Sequence, residues 1–172
     1  MEEHLEQYII LAKNAKGKAQ EKIAIEAVSN ANTFVFGELL PLLGDVSEPY
    51  SKMLEIFAYG TIADYEAQKA NLPEMTPAML HKLQLLTLAS LAANSRFLPY
   101  ETLMSELRVS SVREVEDLII QALYSNLIEG RLDHKLNALH INTAYGRDVP
   151  PQKIAELTNF INEYLGTVTE AE

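Results

Sequence analysis

Cysteine is absent from the 172 residues of this chain, and glycine and proline occur only seven times each. The absence of cysteine excludes disulfides, thiolate nucleophiles and cysteine-ligated zinc, and it is typical of a reducing compartment. With 48% of its residues apolar and 22% charged, the composition predicts a soluble globular protein and excludes disorder over most of the chain. A chain of this length buries about 70% of its unfolded surface, so it needs no metal or disulfide to fold.

Basic residues are also scarce. Lysine and arginine number 14 against 24 aspartates and glutamates, which gives a net charge of −10. Because cations that neutralise phosphates supply much of the affinity for nucleic acid, this balance disfavours nucleic-acid binding and also disfavours anionic membranes.

No apolar run is long enough to cross a bilayer. The longest uncharged stretch, 83–95, contains five polar residues and falls short of the roughly 20 apolar residues that span a membrane. It predicts a buried helix. The first seven residues include three glutamates where a signal peptide needs basic residues and an apolar run, so we expect no export signal.

Residues 1–95 repeat their apolar positions every three or four residues, which predicts an all-helical subdomain. Breaks at Gly17, Pro41 and Gly44 and a helix start at Thr76-Pro77 divide this part into six helices of about 8 to 17 residues. Short helices with short loops favour antiparallel pairs stacked as in helical-repeat scaffolds. The helix over 77–93 is apolar nearly all round, so we expect it to lie between two layers.

The pattern changes after residue 95. An extended piece, 96–98, precedes Pro99, which begins a short helix over Tyr100–Leu107. After a turn at 108–110, Ser111 and Glu114 have the capping-box spacing at the start of a helix that we extend to Asn126. Its apolar stripe comprises Val112, Val115, Leu118, Ile119, Ala122 and Leu123. Two helices joined by such a turn form a helix-turn-helix.

Alternating residues over 128–141 predict a β-hairpin, which together with the preceding strand and helices predicts a winged helix over 96–149. A last helix over 150–172 carries apolar residues with the three-four spacing of a coiled-coil seam, at Ile154, Leu157, Ile161, Tyr164 and Val168. The predicted fold is therefore mostly α: a stacked helical-repeat bundle, a winged helix with a small antiparallel sheet, and a C-terminal helix.

The motifs of common enzymes are missing. Gly17-Lys18 fails as a phosphate loop at both ends, and no histidine pair has metalloprotease spacing. We interpret His134 and His140 as surface histidines rather than a metal site. Glu114, Glu116 and Asp117 are interpreted as a solvated helix face rather than an acid-base pair. Phe57, Tyr59 and Tyr65 are interpreted as packing residues rather than a ligand box. We predict no catalytic, cofactor-binding or metal-binding residue.

The helix over 111–126 also argues against DNA reading. It carries one arginine and three acids, and the segment 96–149 has six basic and eight acidic residues. Since a winged helix reads DNA through basic and amide side chains on this helix, we expect this one to bind protein instead. A nucleic-acid-binding winged helix remains the alternative of a different class.

Helical repeats that lead into a winged helix resemble PCI domains, which occur in subunits of the proteasome lid, the COP9 signalosome and initiation factor 3. Five stretches are similar to signalosome PCI subunits in particular, at 34–40, 57–65, 98–100, 112–119 and 146–148, which read FVFGELL, FAYGTIADY, LPY, VREVEDLI and GRD. The family usually continues with further helix and a charged tail, so we expect this sequence to be a trimmed or short form.

The resemblance implies a non-catalytic scaffold subunit, found in cytoplasm and nucleus, that assembles with other PCI subunits and takes no small-molecule substrate. The assembly removes the ubiquitin-like modifier Nedd8 from cullin ubiquitin ligases through a metalloprotease in another subunit. In this family the winged-helix sheets associate edge to edge and later helices enter a shared bundle. Carried onto this sequence, the candidate partner-binding residues on the hairpin are Leu132 and the expected edge residues Arg131 and His140, and those on the last helix are Ile161, Tyr164, Leu165 and Val168.

Overall fold

The computed structural model describes the backbone of residues 2–30, 33–34, 36, 38–43, 46–144 and 151–171. Side chains of 2–4, 151–154 and 167–171 lie outside the description. The predicted break at Gly44, the 146–148 stretch and the side chains of Ile154 and Val168 therefore fall outside the described residues.

The first part of the chain is entirely helical where it is described. Six α-helices and one short 3-10 helix follow one another: α1 (Glu2–Asn14), α2 (Lys18–Ser29), α3 (Leu39–Leu42), α4 (Glu48–Tyr59), α5 (Ile62–Gln68), the 3-10 helix (Lys69–Asn71) and α6 (Pro77–Asn94). The predicted count of six α-helices is confirmed for the described residues. The predicted lengths are wrong at both extremes, since α3 has four residues and α6 has 18.

Local chemistry accounts for several of these boundaries. Proline at position 41 lacks an amide hydrogen, and a helix tolerates such a residue only in its first turn. Leu43 already leaves helical geometry, so α3 is a single turn. Thr61 and Asp64 form a reciprocal capping box at the start of α5. At α6 the Thr76 hydroxyl accepts a 3.3 Å hydrogen bond from the Met79 amide, just before Pro77.

Helix α6 is the centre of the molecule. It packs against α2 and α5 before it in sequence, and after it against Phe97–Pro99, Tyr100–Leu107, Val112–Tyr124 and Ala138–Ala144. Nine of its residues are buried and span the whole circumference of the helix. The expectation that this helix lies between two layers is confirmed.

The second part is a winged helix. Strand β1 (Phe97–Pro99) leads into α7 (Tyr100–Leu107), and α8 (Val112–Tyr124) is followed by β2 (Ile128–Asp133) and β3 (Ala138–Ala144). Between α7 and α8, Arg108 adopts the left-handed conformation that ends α7. The Ser111 hydroxyl accepts a 3.2 Å bond from the Glu114 amide, and the Glu114 carboxylate accepts one from the Ser111 amide, so the predicted capping box is confirmed.

The sheet is antiparallel, with the order β1-β3-β2, so β3 is the central strand. The order of the two hairpin strands in the sequence does not show which of them is central. β3 is central because the three-residue strand β1 pairs with the side of β3 that β2 leaves open. Leu98, Leu139 and Leu132 lie opposite one another across the three strands and face the core. A register shift between Glu129 and Gly130 lengthens β3 to Ala144, beyond the predicted end of the hairpin at 141.

Gly130 sits at this shift for a steric reason. A β-carbon at position 130 would lie 2.2 Å from the backbone oxygen of His140, closer than any side chain can approach. Only glycine lets the two strands approach this closely.

One continuous apolar core joins the helical part to the winged helix. It runs from Ala12 on α1 to Ile141 on β3, with α6 common to both parts. Phe36 and Phe57 meet edge to face with ring centroids 6.1 Å apart, which supports the interpretation of Phe57 as a packing residue. Tyr65 is buried and Tyr59 packs partly buried against the same core.

The last element, α9 (Pro151–Ala171), is a 21-residue amphipathic helix. The fold class is as predicted: mostly helical, with a three-stranded antiparallel sheet and a C-terminal helix. Among the described helices, none is both long enough and apolar enough to cross a membrane.

Candidate partner-binding surfaces

The outer edge of β2 is the first candidate surface. The Ile141 amide donates to the Arg96 oxygen at 2.8 Å, and the Tyr100 amide donates to the Asn137 oxygen at 2.8 Å. The odd-numbered residues of β3 therefore direct their backbone groups toward β1. His140 therefore points its backbone groups at its partner Arg131 on β2. By alternation along β2, the amide and carbonyl of Leu132 point away from the sheet.

This outward edge is what strand addition requires. In the described part of the chain β2 pairs with β3 alone, so its far side offers backbone donors and acceptors to another strand. Leu132, a predicted contact residue, thus presents its backbone to the edge while its side chain packs against the core.

The expectation that His140 lies at an edge of the sheet is wrong. This histidine lies on the central strand, opposite both Phe97 and Arg131. What the structure does bring together is a row of three side chains across the open face of the sheet. The rings of Phe97 and His140 meet edge to face at 5.1 Å, and Phe97 and Arg131 are exposed.

Two histidine-carboxylate pairs lie at the hairpin. His140 Nε2 lies 3.4 Å from Asp133 Oδ2, and His134 Nδ1 lies 3.3 Å from Glu116 Oε1 on α8. Asp133 also accepts the Leu136 and Lys135 amides at 3.1 and 3.0 Å, which closes the turn. The Leu136 amide contributes most to lowering the pKa of the Asp133 carboxyl, and the Lys135 amide and His140 lower this pKa further.

The acidic residues of α8 have structural roles. The Ser110 amide, followed by that of Ser111, lowers the pKa of Glu114, because the carboxylate caps the helix. Glu116 pairs with His134, and its charge adds to burial in raising the pKa of Tyr100. Asp117 is exposed. No group of three or more histidine and carboxylate side chains in the described residues is arranged to hold a metal ion.

The exposed face of α8 departs from the predicted stripe. Val115, Leu118, Ile119 and Ala122 are buried as expected, whereas Val112 is 44% exposed and Leu123 only partly buried. Two apolar residues that the stripe omits, Ile120 and Tyr124, face solvent on this helix. A capping box fixes where the helix starts but not its rotation, so the flanks of the stripe were misassigned.

The second candidate surface is one face of α9. The exposed side chains include five large apolar ones, between 52% and 67% accessible: Leu157, Phe160, Ile161, Tyr164 and Leu165. They repeat at three- and four-residue spacing, which is the pattern of a helix that packs against others. Phe160 was not among the predicted residues, although its position next to Ile161 on the same face was a readable signal.

Comparison with known families now bears on these surfaces. The family model described as PCI domain matches residues 62–143, from the start of α5 to the end of the sheet. A second model, described as CSN7 helical bundle subdomain, matches residues 6–37. The chain contains a PCI domain.

The curated relatives of this PCI-domain protein include two named COP9 signalosome complex subunit 7. The protein from Dictyostelium discoideum is 40% identical over 169 residues, which cover 95% of this chain and 65% of the relative. The protein from Drosophila melanogaster is 37% identical over 172 residues, covering 96% of this chain and 62% of the relative. The chain thus spans somewhat less than two thirds of each, and the resemblance to signalosome subunits is confirmed.

A more distant relative belongs to another assembly. Eukaryotic translation initiation factor 3 subunit M from Coccidioides immitis is 28% identical over 162 residues, which cover 83% of this chain and 35% of the relative. The similarity therefore extends to a subunit of initiation factor 3, one of the assemblies named with the PCI resemblance. The proposed subdomain boundaries at 95 and 149 stay predictions.

Proposed function

We propose that this PCI-domain protein is a scaffold subunit of the COP9 signalosome, and that it holds neighbouring subunits in register without catalysing a reaction. The observation that carries the proposal is the combination of two incomplete surfaces, the outward edge of β2 and the apolar face of α9. Similarity to subunit 7 of that complex over nearly the whole chain supports it.

The β2 edge supplies directional contact. An incoming strand would pair with the outward amide and carbonyl of Leu132, while the exposed side chain of Arg131 lies beside it. The His134–Glu116 pair connects the hairpin to α8, and Asp133 closes its turn, which together support a defined position for this edge.

The α9 face supplies hydrophobic area. Ile161, Tyr164 and Leu165 would pack among helices of other subunits, and Val168 continues the same spacing in the sequence. Burying side chains of this size contributes roughly 1.5–3 kcal/mol each relative to exposure. The two surfaces together give one strand-pairing contact and one helix-bundle contact.

Removal of Nedd8 from cullins would then belong to the complex, with the hydrolytic site in another subunit. The acids of α8 support this, because Glu114 caps the helix and Glu116 pairs with a histidine rather than facing a second carboxylate. We propose that the protein resides in cytoplasm and nucleus with the complex.

Two alternatives keep the fold and change the partner. Initiation factor 3 or the proteasome lid would use the same edge and helix, and the similarity to subunit M favours the former as the second candidate. A nucleic-acid reader is opposed by the acidic α8 and by its exposed Ile120 and Tyr124.

Affinity purification tests the proposal. The full chain, tagged, is isolated from cell extract of its source, the co-purifying proteins are identified by mass spectrometry, and the eluate is assayed for cullin deconjugation. Recovery of signalosome subunits with that activity is expected. Recovery of initiation-factor or lid subunits instead would overturn the assignment to the signalosome, and recovery of nucleic acid alone would overturn the scaffold role.

A further inference from the structure

Lysine 82 is a charged side chain in the interior of the molecule. It lies on α6, is 3% exposed, and shares a buried face with Met79 and Leu86. Lysine is almost never this deeply buried without a partner, because its ammonium loses hydration.

The partners of Lys82 all come from the region matched by the CSN7 helical bundle subdomain. The ammonium donates to the backbone oxygen of Ala27 at 3.3 Å, and it also donates to the backbone oxygen of Asn30. It lies over the rings of Phe34 and Phe36, 5.9 and 5.4 Å from their centroids. Carbonyl oxygens and aromatic faces are both favourable surroundings for a cation.

These contacts give the FVFGELL stretch a structural role. Its two phenylalanines, 6% and 0% exposed, cover the ammonium after α2 has ended at Ser29. The stretch therefore connects the end of α2 to the central helix of the PCI domain through one cation.

No neighbouring charge offsets the burial. In the described residues, the groups that contact the ammonium are the two carbonyls and the two rings, none of which titrates. Tyr8 is connected to this site through its hydroxyl, which accepts from the Asn30 side chain at 3.0 Å. Burial lowers the pKa of Lys82 from 10.5 to about 7.

We propose that Lys82 is a proton-sensitive latch, whose ionisation sets how readily the end of α2 and the rings of Phe34 and Phe36 separate from α6. Separation lets water reach the ammonium. The separated form therefore binds a proton more tightly than the closed form, and acidification favours opening.

The direction of the pH effect on opening follows from the difference in proton binding between the two forms. Between neutral pH and the ordinary range of lysine, the open form holds the proton and the closed form increasingly does not. Raising the pH through this window closes the latch, and lowering it opens the latch. The start of α2 is held separately, since Gln20 donates to the oxygens of Ala15 and Leu42 at 3.1 and 3.2 Å, so opening is confined to the end of the helix.

Thiol labelling measures the opening, because the chain has no cysteine of its own. Val28→Cys places one thiol in the buried last turn of α2, and Ala122→Cys places one on α8, away from the latch. Labelling rates at each pH are divided by the rate of the matching unfolded peptide, which removes the effect of thiol ionisation. We expect the open fraction at position 28 to fall at least about tenfold between pH 7 and pH 9.

Lys82→Met is the matched variant, similar in length and without a charge. In this background we expect the open fraction at position 28 to be independent of pH, while Ala122→Cys stays more strongly protected in both backgrounds. An identical pH dependence with and without Lys82 would overturn the proposal. Equal protection at positions 28 and 122 would overturn it too, because opening would then be global unfolding.

A second measurement needs no substitution. The chain is labelled with carbon-13 at the lysine ε-carbons, and each resonance is followed by NMR from pH 6 to 11 in the otherwise unmodified protein. One lysine, assigned to position 82, is expected to titrate well below the others. Titration of every lysine in the ordinary range would overturn the proposal even if Lys82→Met failed to fold.

Discussion

Replacing Leu132 by proline separates edge recognition from folding. The Leu132 amide points away from the sheet, so the molecule's own ladder does not use it. Proline removes that amide and places its ring where an incoming strand would pair. Arg131→Pro is the matched control one residue earlier, because the Arg131 amide points inward at His140.

Leu132→Pro is expected to act on partner binding, whereas Arg131→Pro is expected to act on folding. An added strand loses the hydrogen bond from the Leu132 amide, at about 1 kcal/mol net, and keeps the one to the carbonyl, so binding weakens roughly fivefold. The same variant loses part of a half-buried leucine, about 1 kcal/mol of folding free energy. Arg131→Pro breaks the ladder with the central strand and costs folding about 1–3 kcal/mol.

The assay pairs a binding constant with a melting temperature. Surface plasmon resonance measures affinity for the PCI subunit recovered by affinity purification, and circular dichroism measures Tm. We expect Leu132→Pro to melt within a few degrees of the parent and bind roughly fivefold more weakly, and Arg131→Pro to melt lower than Leu132→Pro. Unchanged affinity of a folded Leu132→Pro protein would refute the edge contact. A large loss of Tm in that variant would refute the assignment of the outward amide.

Three further substitutions test separate parts of the argument. Gly130→Val should lower the unfolding free energy by more than about 3 kcal/mol in urea denaturation, since its β-carbon would overlap the His140 oxygen; a neutral effect would contradict the close approach of the strands. Ser111→Ala should cost about 1 kcal/mol by the loss of the α8 cap, and near-parent stability in the same assay would mean that the capping bond contributes nothing. The double change Ile161→Asp with Tyr164→Asp should leave Tm unchanged, because both side chains are exposed, and should abolish recovery of the complex in affinity purification; full recovery would exclude the α9 face as a contact.

Much of the winged helix could be predicted because its boundaries depend on local chemistry. Proline at 99 and the Ser111–Glu114 box act within a few residues, so α7 has its predicted bounds and α8 its predicted start. Sheet order depends instead on a pairing between residues about 40 apart, Phe97 with His140. No local pattern encodes that pairing, which is why His140 was assigned to an edge it does not occupy.

The buried lysine was missed for a different reason, because its signal was present in the sequence. Lys82 falls three residues after Met79 and four before Leu86, in phase with the apolar face of a helix that is apolar nearly all round. A single charge in such a position predicts either exposure of that face or a buried cation with partners. The partners come from Ala27, Asn30 and the two phenylalanines, about 50 residues earlier, and only the fold connects them.

The charges along β2 bear on which strand the edge can accept. If a second copy of this chain paired antiparallel so that Gly130 faced Leu132 in both directions, all the outward backbone groups at these positions would be used. That register places Arg131 opposite its own copy and Glu129 opposite Asp133, and like charges directly opposite each other destabilise strand pairs. The register that uses all these backbone hydrogen-bonding groups is therefore the one in which like-charged side chains repel each other. A strand with an acidic residue opposite Arg131, flanked by basic or neutral residues, satisfies both, so the edge favours a different subunit over a second copy of itself.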